Sequence, residues 1–542
     1  MTEGTGSMKF LDRVYRRARR EWLQWETRGT LRSVSAAAAR GAPMPGDDHP
    51  VVIFNASTRL GGMSLNAGFA LLIAWSLRLA GVPVVHYVCQ RGLTRCVLGS
   101  NKQDVHALPP CRECLRQSDA AFRQARRRAF EYTEDPSLAQ ALSDMDLAQL
   151  SAVTVEDVPL GSLVLSSLRW ILRRHHLEDD LDTRFLFRHY LLSAWSLYRD
   201  VERMLAELQP RCLLVFNGMF YPEAVARWAA RRRGVKVVSH EVGLQPMSAF
   251  FTTGEATAYP IDIPDSFELD PGQSRRLDEY LEERFQGRFS MAGIQFWQEM
   301  RALSPEITAK MARFKQVVPV FTNVIFDTSQ GHANVLYPHM FAWLDDVLAI
   351  IRGEPQTLFV IRAHPDEHRG GKESRESVAA WVRANRVDAL ENVIFVDSHE
   401  YLSSYDLIRR SKFVMVYNST IGLEAAILGA AVLCGGKARY TQLPTVFFPA
   451  SAADYRAQAR RFLAADAIAV PPAFQRNARR FLYVQLFRTS LPFEDYLVAD
   501  GVWNGYVSLK DFSLRDLLPE RSPTMRVIHE GILGEGDFLL PL

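Results

Sequence analysis

The chain has 542 residues, of which 48% are hydrophobic and 23% charged, so it can form several packed cores and is neither disordered nor fibrous. Lys and Arg total 64 and Asp and Glu total 61, and the net charge of +3 argues against a surface built mainly around nucleic-acid phosphates. Six cysteines are too few for a disulfide scaffold. We see no secretory signal and no membrane-spanning run, and residues 61–77 come nearest to one, so we expect a cytoplasmic protein.

The N-terminal segment, residues 1–48, predicts a basic amphipathic helix and a linker. Over residues 8–26 apolar side chains recur at spacings of three and four, and five arginines fill much of the remaining surface. An interfacial helix on anionic lipid and a helix docked on its own domain both fit this pattern. The small, Pro-bearing residues 33–50 predict the linker.

A first α/β lobe is predicted over residues 49–265. A strand at 50–58, a glycine-rich turn, a helix at 65–79 and a strand at 82–88 form a unit that implies parallel strands and a right-handed crossover. Helical segments occupy much of residues 115–210. A second unit follows, with strands at 212–217 and 235–239 around a helix at 222–233.

A second lobe is predicted over residues 316–465, after a charged, mostly helical connector at 266–315. Five apolar strands alternate there with helices, which is a doubly wound pattern; they lie at 317–326, 357–362, 393–396, 413–417 and 431–434. The aromatic-rich extension at 466–542 is expected to pack across the two lobes.

Two loops of the second lobe carry groups suited to an anion. Arg362 and His364 directly follow the strand at 357–362, where they can hold phosphate or carboxylate oxygens. Ser419 and Thr420 stand at a strand-to-helix junction, where they can cap the helix and leave its N–H groups for an anion. Glu424, on the first turn of that helix, can accept hydrogen bonds from a ribose or a sugar.

These two loops, RAHPDE and, about fifty residues later, YNSTIGLEAAILG, resemble those of the capsule polysaccharide biosynthesis proteins. That family consists of glycosyltransferases with the GT-B architecture, in which two Rossmann-type lobes face a cleft. Similar pairs occur in bacterial Kdo and sialic-acid transferases and in CDP-glycerol glycerophosphotransferases. The resemblance implies that His364 and the Ser419–Thr420 pair bind the donor's phosphate, and that Glu424 binds its ribose or sugar.

In the first lobe, Glu241 to Pro246 is similar to the family's Glu-x-Gly-x-x-Pro segment, in which a carboxylate faces the cleft. The acceptor hydroxyl needs a general base, for which Glu241 is our first candidate and His240 the second. His240 stands where family members often have another acidic residue. We expect five further residues to line the cleft: Arg59, Gly61, Gly62, Asn217 and Asp327. The glycine turn lacks the pattern of a nucleotide triphosphate loop.

Four cysteines lie within a short stretch: Cys89, Cys96, Cys111 and Cys114. A Cys-x-x-Cys pair together with a second pair suits a structural zinc ion, although the first gap is wider than usual. An iron–sulfur cluster, reduced thiols and a disulfide are the alternatives.

We therefore expect a glycosyltransferase, independent of metal at its catalytic centre, that acts in capsule or envelope polysaccharide synthesis. Its partners would be a nucleotide-sugar donor, a glycan or lipid-linked glycan acceptor, and the cytoplasmic face of the inner membrane or an envelope-polysaccharide complex. The alternatives are a polyol-phosphate transferase of the CDP-glycerol type, a hydrolase or epimerase of nucleotide sugars, and a non-catalytic partner in an envelope-polysaccharide complex.

Overall fold

The computed structural model describes residues 4–46, 48–58, 61–287, 301–369 and 373–541, and in the first helix it describes side chains from residue 14 onward except residue 16. The first half contains the following elements in chain order: α1 (Gly4–Gly41), β1 (Val51–Phe54), α2 (Leu65–Leu79), β2 (Val84–Cys89), α3 (Cys111–Phe122), β3 (Arg126–Phe130), α4 (Pro136–Leu142), α5 (Leu147–Ser151), α6 (Leu160–Leu172), α7 (Leu181–Leu208), β4 (Cys212–Phe216), α8 (Tyr221–Arg232), β5 (Lys236–Val242) and β6 (Ser248–Thr252).

The second half continues the alternation of strands and helices and ends in a mixed extension. Its elements are α9 (Pro271–Phe285), α10 (Pro305–Met311), β7 (Gln316–Phe321), α11 (Gln330–Ala333), α12 (Met340–Gly353), β8 (Thr357–Arg362), α13 (Val378–Ala384), β9 (Val393–Val396), α14 (Ser404–Arg409), β10 (Val414–Val416), α15 (Ile421–Ile427), β11 (Val432–Cys434), α16 (Ala452–Ala464), α17 (Pro472–Phe487), β12 (Leu491–Pro492), β13 (Leu497–Ala499), β14 (Val507–Leu509) and α18 (Pro523–Leu533).

Each lobe is built around one parallel sheet. The first sheet has the order β12-β6-β5-β4-β1-β2-β3, in which β1 to β5 are parallel and β6 and β12 add an antiparallel edge. The second sheet has the order β11-β10-β7-β8-β9 and is parallel throughout. In both lobes the parallel strands follow the order of a nucleotide-binding fold, third, second, first, fourth and fifth. The predicted α/β class with two doubly wound lobes is confirmed.

The strands are apolar because both faces of each sheet are covered by helices. In β1, Val52 and Phe54 pack into one core and Val51 and Ile53 into the core on the other side. The inner strands are therefore buried along their whole length, as the pattern of β4 also shows. This is why short continuous apolar runs, and not alternating ones, revealed them in the sequence.

The linker predicted at 33–50 is wrong over its first part, because α1 continues as a helix through Gly41. Alanines 36–39 favour helix more than any other residue type. Leu31, Ser35 and Ala38 recur at helical spacing and are buried against the protein. The stretch that looked aperiodic is therefore the docked half of a long helix.

Three strands of the first sheet were not predicted: β3, β6 and β12, the last of which lies in the C-terminal extension. β3 has the sequence RRRAF, and its three arginines hide a sheet edge that pairs with β2. β6 runs antiparallel to β5 after a short connection, outside the alternating pattern. These strands form because they pair with neighbouring strands, and their own sequences carry no clear strand pattern.

The C-terminal extension contacts both lobes. α17 packs on α15 of the second lobe, whereas β12 pairs with β6 in the first sheet and α18 packs on α2. None of the helices in the described ranges combines the length and apolarity needed to cross a bilayer.

Candidate functional site

A cavity of about 480 Å³ opens at the carboxyl ends of the second sheet. The loops that follow β7, β8 and β10 form most of its wall, and the first lobe adds Thr257, Ala258 and Pro260. The cavity lies where the strand order reverses, between β7 and β10, which is where doubly wound sheets bind ligands. It is therefore the candidate site of the molecule.

Four cationic side chains and three carboxylates line this wall, together with two histidines whose pKa burial lowers. The basic side chains that line the cavity are Arg284, His332, Arg362, His364, Lys437 and Arg439. The acidic side chains that line it are Asp327, Asp366 and Glu424, of which Glu424 is paired with an arginine. A cavity with this balance attracts an anionic ligand.

Arg362 and His364 both reach the cavity, as the sequence predicted. Arg362 is the last residue of β8 and donates from Nη1 to the Ser404 hydroxyl over 2.8 Å and to the Leu402 carbonyl. Burial lowers the pKa of Arg362 to about 10, so the side chain remains charged at neutral pH. These bonds fix the guanidinium at the sheet edge.

His364 is held in one tautomer. Its Nδ1 accepts a hydrogen bond from the Asp366 backbone N–H over 3.2 Å, so in the neutral ring the proton is on Nε2. Burial lowers the pKa of His364, against the nearby carboxylates of Asp366 and Asp327, which raise it. The ring therefore offers an N–H donor while it remains uncharged.

Ser419 and Thr420 line the cavity at the start of α15, but they do not cap this helix as predicted. Thr420 occupies the N-cap position and makes no capping hydrogen bond, because its backbone is already helical, with φ −61° and ψ −21°. Its hydroxyl and that of Ser419 therefore remain at the cavity wall. Because α15 has only seven residues, the charge of the site comes mainly from side chains and less from the dipole of this helix.

Glu424 is buried and its carboxylate is already bonded on both oxygens. Oε1 accepts from Arg284 Nη2 over 2.5 Å, and Oε2 accepts from the Tyr405 hydroxyl. Arg284 and Glu424 are both less than 10% exposed. The pair adds an almost neutral, rigid unit to the wall, and its sequence-predicted contact with ribose or sugar stays a prediction.

His240 does not reach the cavity, and its prediction as a general base is wrong. The ring is fully buried between Phe216 and Phe251, and its Nε2 lies 3.1 Å from Asn55 Nδ2. Burial lowers the pKa of His240 to about 3. Successive residues of a strand point to opposite faces, so His240 and Glu241 cannot both face the cleft.

Glu241 is half-buried at the carboxyl end of β5. Asn217, at the end of β4 with a φ of +57°, donates from Nδ2 to Glu241 Oε2 over 2.7 Å. Glu241 does not line the cavity itself. Burial is the main cause that raises the pKa of the Tyr259 phenol, and the nearby charge of Glu241 raises this pKa further. The Arg439 guanidinium, which does line the cavity, lies 3.9 Å from the centre of the Tyr259 ring.

The glycine turn and Asp327 fall in different places. Asp327 lines the cavity and also accepts the Ser329 N–H over 2.8 Å. Gly61 and Gly62 line a separate groove of about 200 Å³, so the expectation that they face the same cleft is wrong. The turn is covered by α1 and Tyr506, which lie against the two glycines. Arg59 lies outside the described residues.

The four clustered cysteines approach one another in the segment from β2 to α3. The N–H of Gly92 donates to Cys89 Sγ over 3.3 Å and that of Gly99 to Cys96 Sγ over 3.2 Å. Burial raises the pKa of Cys96 to about 12, and the neighbouring thiols of Cys89, Cys114 and Cys111 add to this effect. None of the six cysteines, all of which lie in the described ranges, forms a disulfide.

No three or more His, Cys, Asp or Glu side chains in the described part of the chain are arranged so that they could hold a metal ion. The four thiols, all in described residues, are thus not in a metal-binding arrangement here, and zinc at this site stays a prediction.

Sequence reasoning missed four basic residues of the site: Arg284, His332, Lys437 and Arg439. In α9, Leu277, Leu281 and Arg284 follow one another at spacings of four and three residues, so they share the buried face of the helix. This spacing was the available sequence signal for Arg284. Lys437 and Arg439 follow β11 in a loop with no motif. Their approach to the cavity depends on how the loop turns back after Gly435 and Gly436.

Residues 283–461 match the family model described as capsule polysaccharide biosynthesis protein. The predicted family resemblance is confirmed. The segment that matches the capsule family contains Arg284 and the loops that follow β8 and β10, so it covers most of the cavity wall. No curated protein matches the chain.

Solved structures give weaker likenesses. Thermosulfurimonas dismutans KpsC, beta Kdo 2,4 transferase, is 11% identical with a TM-score of 0.35, over 57% of this chain and 87% of that one. A UDP-GlcNAc 2-epimerase from Neisseria meningitidis bound to UDP-GlcNAc is 15% identical with a TM-score of 0.24, over 54% of this chain and 80% of that one. At these scores the likeness alone assigns neither fold nor activity to the chain.

Proposed function

We propose that the chain is a glycosyltransferase that moves a sugar from a nucleotide-activated donor to a cell-surface polysaccharide or glycoconjugate. The observation that carries this proposal is the cavity at the switch point of the second sheet, lined by several basic side chains. The match of the same segment to the capsule polysaccharide family supports it.

The donor's phosphates would bind among the basic side chains. Arg362, Lys437 and Arg439 supply positive charge, and His364 supplies a neutral N–H donor from Nε2. The hydroxyls of Ser419 and Thr420 add short polar contacts at the same wall. These groups stabilise the charge that develops on the leaving phosphate when the glycosidic bond breaks, so the proposed centre needs no metal ion for this task.

The acceptor hydroxyl would lose its proton to a carboxylate, for which we propose Glu241. Its side chain is held by Asn217 at the carboxyl end of the first sheet, on the side of the cavity where Tyr259 and Arg439 meet. Asp327 is a second carboxylate near the same phenol, but it caps a turn of the donor lobe.

A thermal-shift panel of CMP, CDP, UDP, GDP and their sugar conjugates tests the binding step. A ligand that binds only the folded protein raises its stability by about 2.7 kcal/mol at a hundredfold excess over the dissociation constant. We expect one nucleotide class to raise the melting temperature, and the shift to be lost in His364→Ala and kept in His106→Ala, an exposed histidine of the first lobe. The shift should also persist in EDTA. No shift with any nucleotide would contradict the proposal.

Turnover of the donor identified in this way tests the base. Glu241→Gln keeps the size of the side chain and one acceptor oxygen for the Asn217 amide but cannot take a proton, so kcat should fall by roughly a hundredfold or more with little change in KM for the donor. Asp327→Asn serves as the matched comparison. A full loss in Asp327→Asn with near-normal kcat in Glu241→Gln would transfer the role to Asp327.

A further inference from the structure

The first half of α1 exposes an apolar face to solvent. Tyr15, Trp22 and Trp25 are 62%, 55% and 68% exposed. Together with Val14 and Ala18, which are also exposed, they recur at spacings of three and four residues and so share one side of the helix. We call these five residues the aromatic stripe.

The aromatic stripe faces away from the protein. The second half of α1 is docked through Leu31, Ser35 and Ala38, which are buried, and the Ser35 hydroxyl donates to the Ala121 carbonyl over 2.8 Å. At 3.6 residues per turn these positions lie on the opposite side of the helix from Trp22. Docking of α1 on its own lobe therefore leaves the stripe uncovered.

The docked side of α1 continues into the first half of the helix. Arg20 and Gln24 line the groove beside the glycine turn, and the Arg20 guanidinium lies 5.3 Å from the centre of the Trp503 ring. Burial of the stripe is therefore not needed to hold the helix in place, so its large apolar side chains require a different explanation.

The charge around the stripe favours an anionic surface. Residues 8–32 contain eight basic and three acidic side chains. Arg19 and Arg32 are exposed and flank the stripe, Arg19 on the side of the helix that borders Gly501. Trp and Tyr are the side chains that settle at the headgroup level of a bilayer, and flanking arginines are attracted to anionic lipid.

We propose that the aromatic stripe of α1 docks on an anionic phospholipid bilayer, with the helix lying in the plane of the interface. A second copy of the chain is a poorer occupant, because self-pairing would bring the arginine-rich surfaces together. This contact is independent of the proposed glycosyl transfer. It would hold the groove beside the glycine turn, which α1 borders, close to the membrane surface.

Vesicle flotation of the full chain tests this proposal. The probes are vesicles of phosphatidylcholine alone and of phosphatidylcholine mixed with phosphatidylglycerol. We expect binding to the mixed vesicles, weakened by added salt and by Arg19→Glu/Arg32→Glu, and reduced roughly tenfold or more in Trp22→Ser/Trp25→Ser. Matched controls elsewhere on the surface, Leu108→Ser/Leu181→Ser and Arg383→Glu/Arg410→Glu, should bind as the wild type does.

The outcomes separate the membrane from other occupants. All variants change exposed side chains, so their melting temperatures should equal that of the wild type, which shows that a loss of binding is not unfolding. Equal binding to both kinds of vesicle, or equal binding by the stripe variant and its control, would overturn the proposal. So would a dimer in solution that dissociates in Trp22→Ser/Trp25→Ser without vesicle binding, because a second copy would then cover the stripe.

Discussion

At the residue scale, the buried pair of Arg284 and Glu424 is the clearest feature of the cavity wall. It joins the connector helix α9 to the first turn of α15 through a 2.5 Å contact, and the Tyr405 hydroxyl completes it. A sequence motif identified Glu424, whereas its partner lies more than a hundred residues earlier. The motif predicted a ligand-binding carboxylate, and the structure shows a carboxylate that anchors α9.

The first prediction concerns this pair. Glu424→Gln leaves the Arg284 guanidinium buried without a counter-charge, so the free energy of unfolding should fall by about 3–5 kcal/mol. Urea denaturation measures it. The control is Asp278→Asn, which removes a half-exposed partner of Arg479 from the same helix and should cost less than about 1 kcal/mol. Equal, small losses in both variants would contradict the buried-pair assignment.

His240 gives a pH-dependent prediction. The pKa of His240 is lowered to about 3 by burial, whereas an unfolded histidine has an ordinary value of about 6.5. Between these values the unfolded chain binds a proton that the folded chain does not, so stability falls as the pH falls.

Near pH 5 this effect amounts to about 2 kcal/mol. We expect His240→Gln to lose less stability than the wild type between neutral pH and pH 5, measured by urea denaturation at each pH. Parallel pH profiles for the two proteins would show that His240 titrates normally and is not buried.

At the element scale, strands and helices were predictable where local pattern and packing agree. α2, β8 and β11 follow apolar runs that are buried as expected. The loops after β8 and β10 were found because their motifs sit directly at strand ends. β3 and the loop with Arg439 were missed, because tertiary contacts decide their conformation and no local signal does. The second half of α1 was missed although its four consecutive alanines favour helix.

The glycine turn between β1 and α2 allows a prediction at this scale. Gly62 has a φ of +90°, and a Cβ there would lie 3.0 Å from the Tyr506 ring. Gly62→Ala should therefore cost about 1–2 kcal/mol for the left-handed backbone and more for the contact. Gly505→Ala is the matched control, because Gly505 has a φ of +82° and open space around it. Stability is measured by thermal unfolding. Equal losses of stability in the two variants would show that Tyr506 does not contact the turn closely.

The cysteine segment between β2 and α3 carries the zinc prediction. If the four thiols close around a metal, protein purified without chelators should contain about one zinc per chain. Cys111→Ser/Cys114→Ser should lose the metal and melt at a lower temperature, whereas Cys212→Ala, in β4, should keep it. Elemental analysis decides the matter, and metal-free protein with an unchanged melting temperature would contradict the prediction.

At the scale of the whole molecule, the cavity depends on both lobes. The Thr257 hydroxyl of the first lobe lies 2.9 Å from Nε2 of His332 in the second lobe. The same nitrogen lies 3.2 Å from a carboxylate oxygen of Glu255 in the first lobe. The sequence indicated two lobes and a ligand site at the second sheet. It did not indicate which first-lobe residues meet the cavity, because that depends on how the lobes pack.

The central claim is that a nucleotide is held by the basic wall of this cavity. Isothermal titration calorimetry with the nucleotide identified in the thermal-shift panel tests it most directly, on Lys437→Ala and Arg439→Ala, two residues that no motif suggested. Each variant should bind roughly tenfold more weakly or worse, since a charge-assisted hydrogen bond to phosphate is lost. Arg203→Ala, an exposed arginine of the first lobe, should bind like the wild type. Unchanged affinity in both cavity variants would contradict the account.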